Sequence, residues 1–410
     1  MAGFVAFSIG CCLAWLIAAA IWLTPGNQAL RSKHWGWLFP LLLSALFAVA
    51  HIFWLHRPLG TFYEFIYSQG AYEAMAGKVP FRDFIFRHGI LFPYFNGLIE
   101  HNLGWITLKA VYLAFGVTGW ELLRRYLVKH EAGVNANLVL LFNYAMPVTL
   151  AASLYGQNEF LMLPFIYGAL LLPGKRWWLR GILLGLSFCI GTVVIFGIFV
   201  GMFCLLRTWK ELWRAGLTLL FTVLVLNLPA MIHGGYPTAL LSQWDDLILG
   251  TFSTVWGVVC YWGGSFPQWL PIAAQIFMAL FFFLFSRFFS PRHFPSFVTA
   301  AFVGFSSFQT QLHVDHCLLV IPLAIAWLAG AKKGWERLLI LGWLLVLLLQ
   351  IIQAMFSAKG DIASLSPPGT FFPGVDYAPA WTFILLLQLG IVFAGLWRTY
   401  LDSCSSKTAD

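Results

Sequence analysis

Apolar runs alternate with short polar segments along the whole chain. They fall at 4–23, 36–56, 104–122, 136–154, 159–173, 181–206, 215–232, 268–287, 294–310, 317–330, 338–357 and 380–397. Most are long enough, or nearly so, to cross a hydrocarbon core of about 30 Å as a helix. The pattern predicts an all-α fold, a polytopic transmembrane helix bundle. The first run, Phe4 to Leu23, has no basic stretch before it and no small-residue cleavage site after it. It is expected to be a retained span rather than a removed signal peptide.

Basic residues set the orientation, because loops rich in Lys and Arg stay in the cytoplasm. Arg31 and Lys33 follow the first run, which places the N-terminus outside and delivers residues 57–103 to the outer face after the second run. Arg124, Arg125 and Lys129, then Lys175, Arg176 and Arg180, mark inner loops. The run 181–206 is flanked by basic clusters on both sides, the second being Arg207, Lys210 and Arg214. One span cannot have both ends inside. Two short helices in a hairpin, with the tip near Gly191, restore the parity; a single long tilted helix is the alternative, and it would force every later basic loop outside. With the hairpin the count reaches about 13 spans and the C-terminus is cytoplasmic. Of 24 Lys and Arg, 18 then lie inside, five outside (Arg57, Lys78, Arg82, Arg87 and Lys359) and one, Lys109, within a span; ten of 16 Asp and Glu lie outside.

Composition agrees with a membrane solvent. The 410 residues are 60% hydrophobic, 18% aromatic and only 10% charged, with a mean hydropathy of +0.81, which excludes a soluble globular domain. A formal charge of +8 raises nucleic acid as a partner, but the bases are scattered as small topological clusters, so no nucleic acid is expected. The seven cysteines sit mostly in apolar runs without a CxxC pair, which points to neither a disulfide framework nor a zinc site. No heptad pattern, fixed-period repeat or low-complexity tract stands out, and residues 1–410 are expected to form one membrane domain without a terminal soluble domain. A bacterial inner membrane is the default location.

One long polar segment interrupts this pattern, Glu64 to Asn96. With nearby Glu100 it holds four acids (Glu64, Glu73, Asp83, Glu100) and three bases (Lys78, Arg82, Arg87). Glu64 to Ala76 reads as a short interfacial helix, stopped by Gly77 and kept from resuming by Pro80. Other outer segments carry polar groups: the turn Tyr155–Glu159, the run from His233 through Asp245 and Asp246, and His313-Val-Asp315-His316, with a Ser/Pro/Gly loop at 358–379 behind it.

The run AMAGKVPFRDFIFRHGILFPYF, residues 74–95, resembles the first outer loop of type C fold (GT-C) membrane glycosyltransferases, family 39-like, that use polyprenyl-phosphate sugars. Gly77, Lys78, Pro80, Asp83, Phe84, His88, Gly89, Leu91 and Tyr94 match that family's pattern, with Phe81 in place of Tyr and Ile90 in place of Pro. HVDHCLLVIP, residues 313–322, is similar to its late Asp-x-x-His element: His316 and Pro322 match, and His313 stands where Asp is usual. The GILLGLSF segment, 181–188, is similar too, although a Lys common at the position of Gly191 is absent.

The resemblance implies sugar transfer from a polyprenyl-phosphate donor to a cell-envelope glycan or lipid acceptor at the outer face, by a hexosyl- or pentosyltransferase. Such chemistry needs a carboxylate to take the acceptor hydroxyl proton and cations to hold the departing phosphate. Ungapped alignment back from Gly77-Lys78 puts Glu64 near the family's catalytic Asp, so Glu64 is the candidate base, with Asp83 beside it. Lys78, Arg82 and Arg87 are candidate phosphate contacts. His88, Tyr94, Glu159, Asp245, His313, Asp315 and His316 complete the candidate substrate-binding set. Each has a plainer reading: Glu64 capping a helix or pairing with Arg57, Asp83 in a salt bridge with Arg82 or Arg87, Asp245 and Asp246 on a solvated loop, Glu159 at a helix N-terminus. No cofactor is assigned; a divalent metal on His313 and His316 requires that run to be helical, and hydrogen-bonding histidines in a turn are preferred. Two other classes stay open, a lipid-linked glycan flippase or transporter and a non-catalytic protein of the same fold. A transporter is expected to carry ionisable groups at mid-membrane, where this chain has mainly Lys109.

Overall fold

The computed structural model describes residues 2–23, 42, 45, 68–84, 89–131, 133–155, 157–173, 176–191, 196–206, 208–232, 254–262, 264–267, 269–289, 293–309, 315–356 and 378–407. These are mostly helical, with no β-strand among them. The helices are α1 (Ala2–Trp22), α2 (Gln69–Met75), α3 (Leu91–His130), α4 (Ala136–Ala145) and α5 (Pro147–Tyr155). Next come α6 (Glu159–Leu171), α7 (Trp177–Phe188), α8 (Phe196–Cys204), α9 (Trp209–Met231) and α10 (Val255–Tyr261). The last are α11 (Trp269–Phe289), α12 (Phe294–Ser307), α13 (Ile321–Gly330), α14 (Gly334–Phe356) and α15 (Ala378–Lys407), with a 3₁₀ turn at Asp315–Leu319 before α13. The predicted span 36–56 lies almost wholly outside the described residues.

Four segments are long and apolar enough to cross a membrane: Ile106–His130, Trp209–Met231, Trp269–Phe289 and Thr382–Cys404. Shorter apolar helices, among them α4, α6, α7, α12 and α13, pack between them. Every residue of α12 is buried, whereas α9 and α11 leave Phe221, Phe277 and Phe288 exposed. Such outward apolar faces suit contact with lipid, and the fully enclosed α12 belongs to the centre of the bundle.

Several boundaries follow from local chemistry. The expected run 136–154 is two helices, because Pro147 has no N–H to continue a helix and forces Met146 into an extended conformation (ψ 127°). Asn135 caps α4 by accepting the Leu138 N–H at 3.1 Å, and Thr208 caps α9 by accepting the Glu211 N–H at 3.2 Å. Helix α3 starts at Leu91, well before the expected 104. It bends at Gly104, whose φ of 80° interrupts the helical backbone. Residues 91–103, expected to be loop, are thus helical.

Glycines set the closest helix pairs. A Cβ on Gly116 or Gly119 of α3 would lie 2.3 Å from Phe160 or 2.4 Å from Leu163 of α6. On α7 the pair Gly181 and Gly185, a G-x-x-x-G spacing, meets Ala215, Thr218, Leu219 and Thr222 of α9. These contacts also fix direction. Gly181 faces the first turns of α9, Gly185 lies one turn further on, and Cys189 meets Asn227, so α7 and α9 run parallel. Helix α8 packs antiparallel on α12, Gly197 facing Phe302 and Gly201 facing Val298, and its end comes back to the start of α9: Leu206 accepts a bond from Arg287, whose guanidinium also lies over Trp209. The block 181–206 is therefore two oppositely directed helices, as the charge parity predicts, and the single long tilted helix does not occur.

Candidate functional site

The polar segment that holds most of the candidate residues is built on α2 and the start of α3. Gly97 sits against Ala71 and Met75, and the Ser68 hydroxyl donates to Glu100 at 3.2 Å. Helix α2 stops as its sequence predicts, and for the same reason. Gly77 takes φ 82°, its N–H donates to Ala74 O at 3.1 Å, and the Lys78 N–H donates to Glu73 O at 3.1 Å. This is a Schellman cap, which needs a left-handed residue and therefore favours glycine. The helical part expected at Glu64 to Ala76 is described only over 69–75.

Beyond the cap the chain folds tightly around Asp83. Its Oδ2 accepts the Val79 N–H at 2.7 Å, its Oδ1 accepts Arg82 Nε at 2.7 Å, and its own N–H returns to Val79 O at 2.9 Å. Arg82 Nη2 adds a second contact, making a bidentate pair. Lys78 pairs with Glu73. Both cations are exposed, and each is held above its ordinary range first by the hydrogen bond to its acid, Glu73 for Lys78 and Asp83 for Arg82. Tyr94, in the first turn of α3, donates to Lys78 O at 3.4 Å, and partial burial pushes its phenol upward. Phe81 is buried with φ 66°, a left-handed conformation that costs a bulky residue of order 1–3 kcal/mol. Burial of its ring and the 2.9 Å bond from its N–H to Phe84 O hold it there.

This loop is clasped to the α7–α8 hairpin. The Gly89 N–H donates to Ile190 O at 2.9 Å, and the Leu91 N–H donates to Cys189 O at 2.8 Å. The carbonyls just past the end of α7 and the amide at the start of α3 are groups that their own helices leave unpaired, and each satisfies the other. A Cβ on Gly89 would lie 2.1 Å from Cys189 O, so only glycine permits the approach. Under the tip, Gly191 packs on Met162, with Asn158 close by.

Gln157, Asn158 and Glu159 are all buried, Glu159 at 2% exposure as the first residue of α6. The sequence places Tyr155–Glu159 as a tight turn between two spans; the structure puts its polar end beneath the hairpin tip. The 3₁₀ turn that begins at Asp315 and includes half-buried His316 packs on α5 and α6, and Tyr167 of α6 donates to Leu319 O at 2.7 Å. Helix α7 carries its basic start, Arg180 bonded to Ala169 O and Leu172 O, to the opposite end of the bundle.

Among the predicted residues, Lys78, Arg82, Asp83 and Tyr94 come together in one fold of chain. Glu159 stands at the neighbouring hairpin tip, and Asp315 and His316 begin a turn packed on the same helix as Glu159. Glu64, Arg87, His88, Asp245 and His313 lie outside the described residues. Among the described residues no group of three metal-ligating side chains gathers. Sequence reasoning missed Gln157 and Asn158 as buried polar neighbours, and it missed Gly89 as the point where loop and hairpin touch. No protein-family model, no curated protein and no solved structure matches the chain.

Proposed function

We propose that this membrane protein is a glycosyltransferase of the GT-C type, moving a sugar from a polyprenyl-phosphate donor to a cell-envelope glycan or lipid acceptor. The observation that carries the reading is the clasp of the polar first loop onto the hairpin tip by Gly89 and Leu91. It holds Arg82 together with Lys78, Asp83 and Tyr94, the last three at matching positions of the family's first-loop motif, at the end of the bundle opposite Arg180. In this reading Glu64 is the base that takes the acceptor hydroxyl proton as the anomeric carbon is attacked. Arg82, oriented by the two bonds it donates to Asp83, and Lys78 hold the phosphate that leaves with the lipid. Asp83 already accepts three hydrogen bonds, so its share is to position Arg82 and the turn rather than to remove a proton. Arg87 is a further phosphate contact in this reading, and His88, Glu159, Asp245, His313, Asp315 and His316 complete the substrate-binding set.

The proposal includes the orientation: loop end outward in a bacterial inner membrane, basic end cytoplasmic, and about 13 spans in all. Purified protein given a radiolabelled polyprenyl-phosphate sugar and a membrane-lipid acceptor should release polyprenyl phosphate and label the acceptor. Reconstituted vesicles that move the intact lipid-linked sugar across the bilayer without forming a new glycoside would replace this reading with the flippase.

A further inference from the structure

The basic end of the bundle contains a cavity that the outer-face chemistry does not use. It holds about 410 Å³ between Gly133 and Val134, His293 before α12, the α13–α14 link and the C-terminal part of α15. One wall is rigid. Arg398 donates to Glu336 Oε1 at 2.9 Å and to Gly330 O at 3.0 Å, while Glu336 also accepts Trp327 Nε1. That pair cancels its own charge.

Lys332 and Lys333 remain, both exposed, lining the cavity without an acidic partner within 4 Å among the described residues. Asp402 is the acid on the facing wall, so the cavity keeps an excess of positive charge. His293, also in the wall, is held neutral near pH 7: burial, then Arg398 and Lys332, lower it to about 4. The start of α14, just past Lys333, adds the positive end of a helix dipole.

The mouth is aromatic. Trp335 and Trp397 line it, and Phe393 stands between them with ring centroids 6.5 and 6.1 Å away. All three are more than a third exposed, on helices whose neighbouring turns are apolar. Tryptophans at a span end sit where head groups meet acyl chains. A small soluble anion would use the lysines and leave this wall bare; a phospholipid uses both.

We propose that the cavity binds one anionic phospholipid, its phosphodiester on Lys332 and Lys333 and its glycerol and upper acyl chain along Trp335, Phe393 and Trp397. Full-length protein in detergent, titrated with phosphatidylglycerol and followed by native mass spectrometry, should take up one tightly held lipid, and phosphatidylcholine should not substitute. The K332Q/K333Q variant should bind phosphatidylglycerol roughly 30-fold more weakly, about fivefold per lysine, while K332R/K333R keeps the lipid. Trp397→Ala should weaken it as well.

The variant K129Q/K210Q removes two exposed charges elsewhere at the same end and should leave binding unchanged. Equal loss in K129Q/K210Q would reduce the effect to diffuse electrostatics and overturn the site. So would equal retention of phosphatidylcholine, or displacement of the lipid by excess inorganic phosphate. Unaltered melting of the glutamine variants separates lost binding from lost fold.

Discussion

Replacing Gly89 by alanine should release the first loop from the hairpin. The added Cβ would stand 2.1 Å from the Cys189 carbonyl oxygen, 2.2 Å from its carbon and 2.6 Å from Ile190 N. All three are backbone atoms that no side-chain rotation can clear. The two strands of chain must therefore separate by more than an ångström, which breaks the bonds from the Gly89 and Leu91 N–H groups. Each is worth a net 0.5–1.5 kcal/mol, at about 1 kcal/mol apiece, and overpacking of a tight contact costs about 1–3 kcal/mol. The loop-docked state should lose about 3–5 kcal/mol, a rise of roughly two orders of magnitude or more in transient opening. Hydrogen exchange of peptides covering 76–96 reads this directly, with fast exchange expected in the variant. Gly133→Ala, where the new methyl meets nothing within 4 Å, is the matched control. Protection of Leu91 that survives in Gly89→Ala would refute the clasp.

Gly77→Ala tests the Schellman cap in isolation: no atom lies within 4 Å of the new Cβ, so only the φ of +82° acts, and local protection of α2 should fall by about 1–2 kcal/mol. Gly181→Ala puts a methyl 2.5 Å from Ala215 O and should lower the stability of the α7–α9 pair by about 1–3 kcal/mol, read as a drop in melting temperature. Glu131 bears on pH. Burial lifts its carboxyl from 4.5 to about 7, against the Phe294 N–H and Arg398, which lower it. Because the folded value lies above the unfolded one, the stability linked to Glu131 is complete below about 4.5 and is lost as pH climbs through about 7, by up to roughly 3 kcal/mol. His293, lowered from 6.5 to about 4, adds the opposite slope to both proteins over the lower part of that window, so the readout is the difference: melting temperature should fall in the wild type relative to Glu131→Gln as pH climbs from about 4.5 through about 7, and a parallel slope in both would contradict it. Neighbouring His293, lowered to about 4, is neutral across most of the same window, so its 3.4 Å approach to Glu131 is not an ion pair there.

The helices were legible because a membrane demands long apolar runs and marks their ends with charge. Charge parity alone exposed the α7–α8 turn, since both ends of 181–206 are basic. Where the reading failed, hydropathy averaged over a local break: Met146-Pro147 splits one apolar run, and Gly104 bends α3 without ending it, so the helix reaches back to Leu91. The stop at Gly77 was readable because a left-handed cap is a local requirement. Asp83 and Arg82 are adjacent, and their salt bridge was the plain alternative that sequence could offer. The Gly89 contact was not readable, because its reason is a carbonyl a hundred residues away. Burial of Gln157 to Glu159 was hidden for the same kind of reason: the hairpin tip that covers them belongs to another part of the chain.

In the proposed sugar transfer Glu64 serves as base, supported by the Lys78–Tyr94 scaffold. Single-turnover transfer from a polyprenyl-phosphate sugar, compared across wild type, Glu64→Gln and Asp83→Asn, tests it most directly. Loss of the base should lower the rate by about 10²–10⁴-fold in Glu64→Gln with donor binding retained, whereas Asp83→Asn should act mainly by weakening donor binding. Wild-type turnover in Glu64→Gln, or no transfer by the wild-type protein from any polyprenyl-phosphate sugar, would contradict the account.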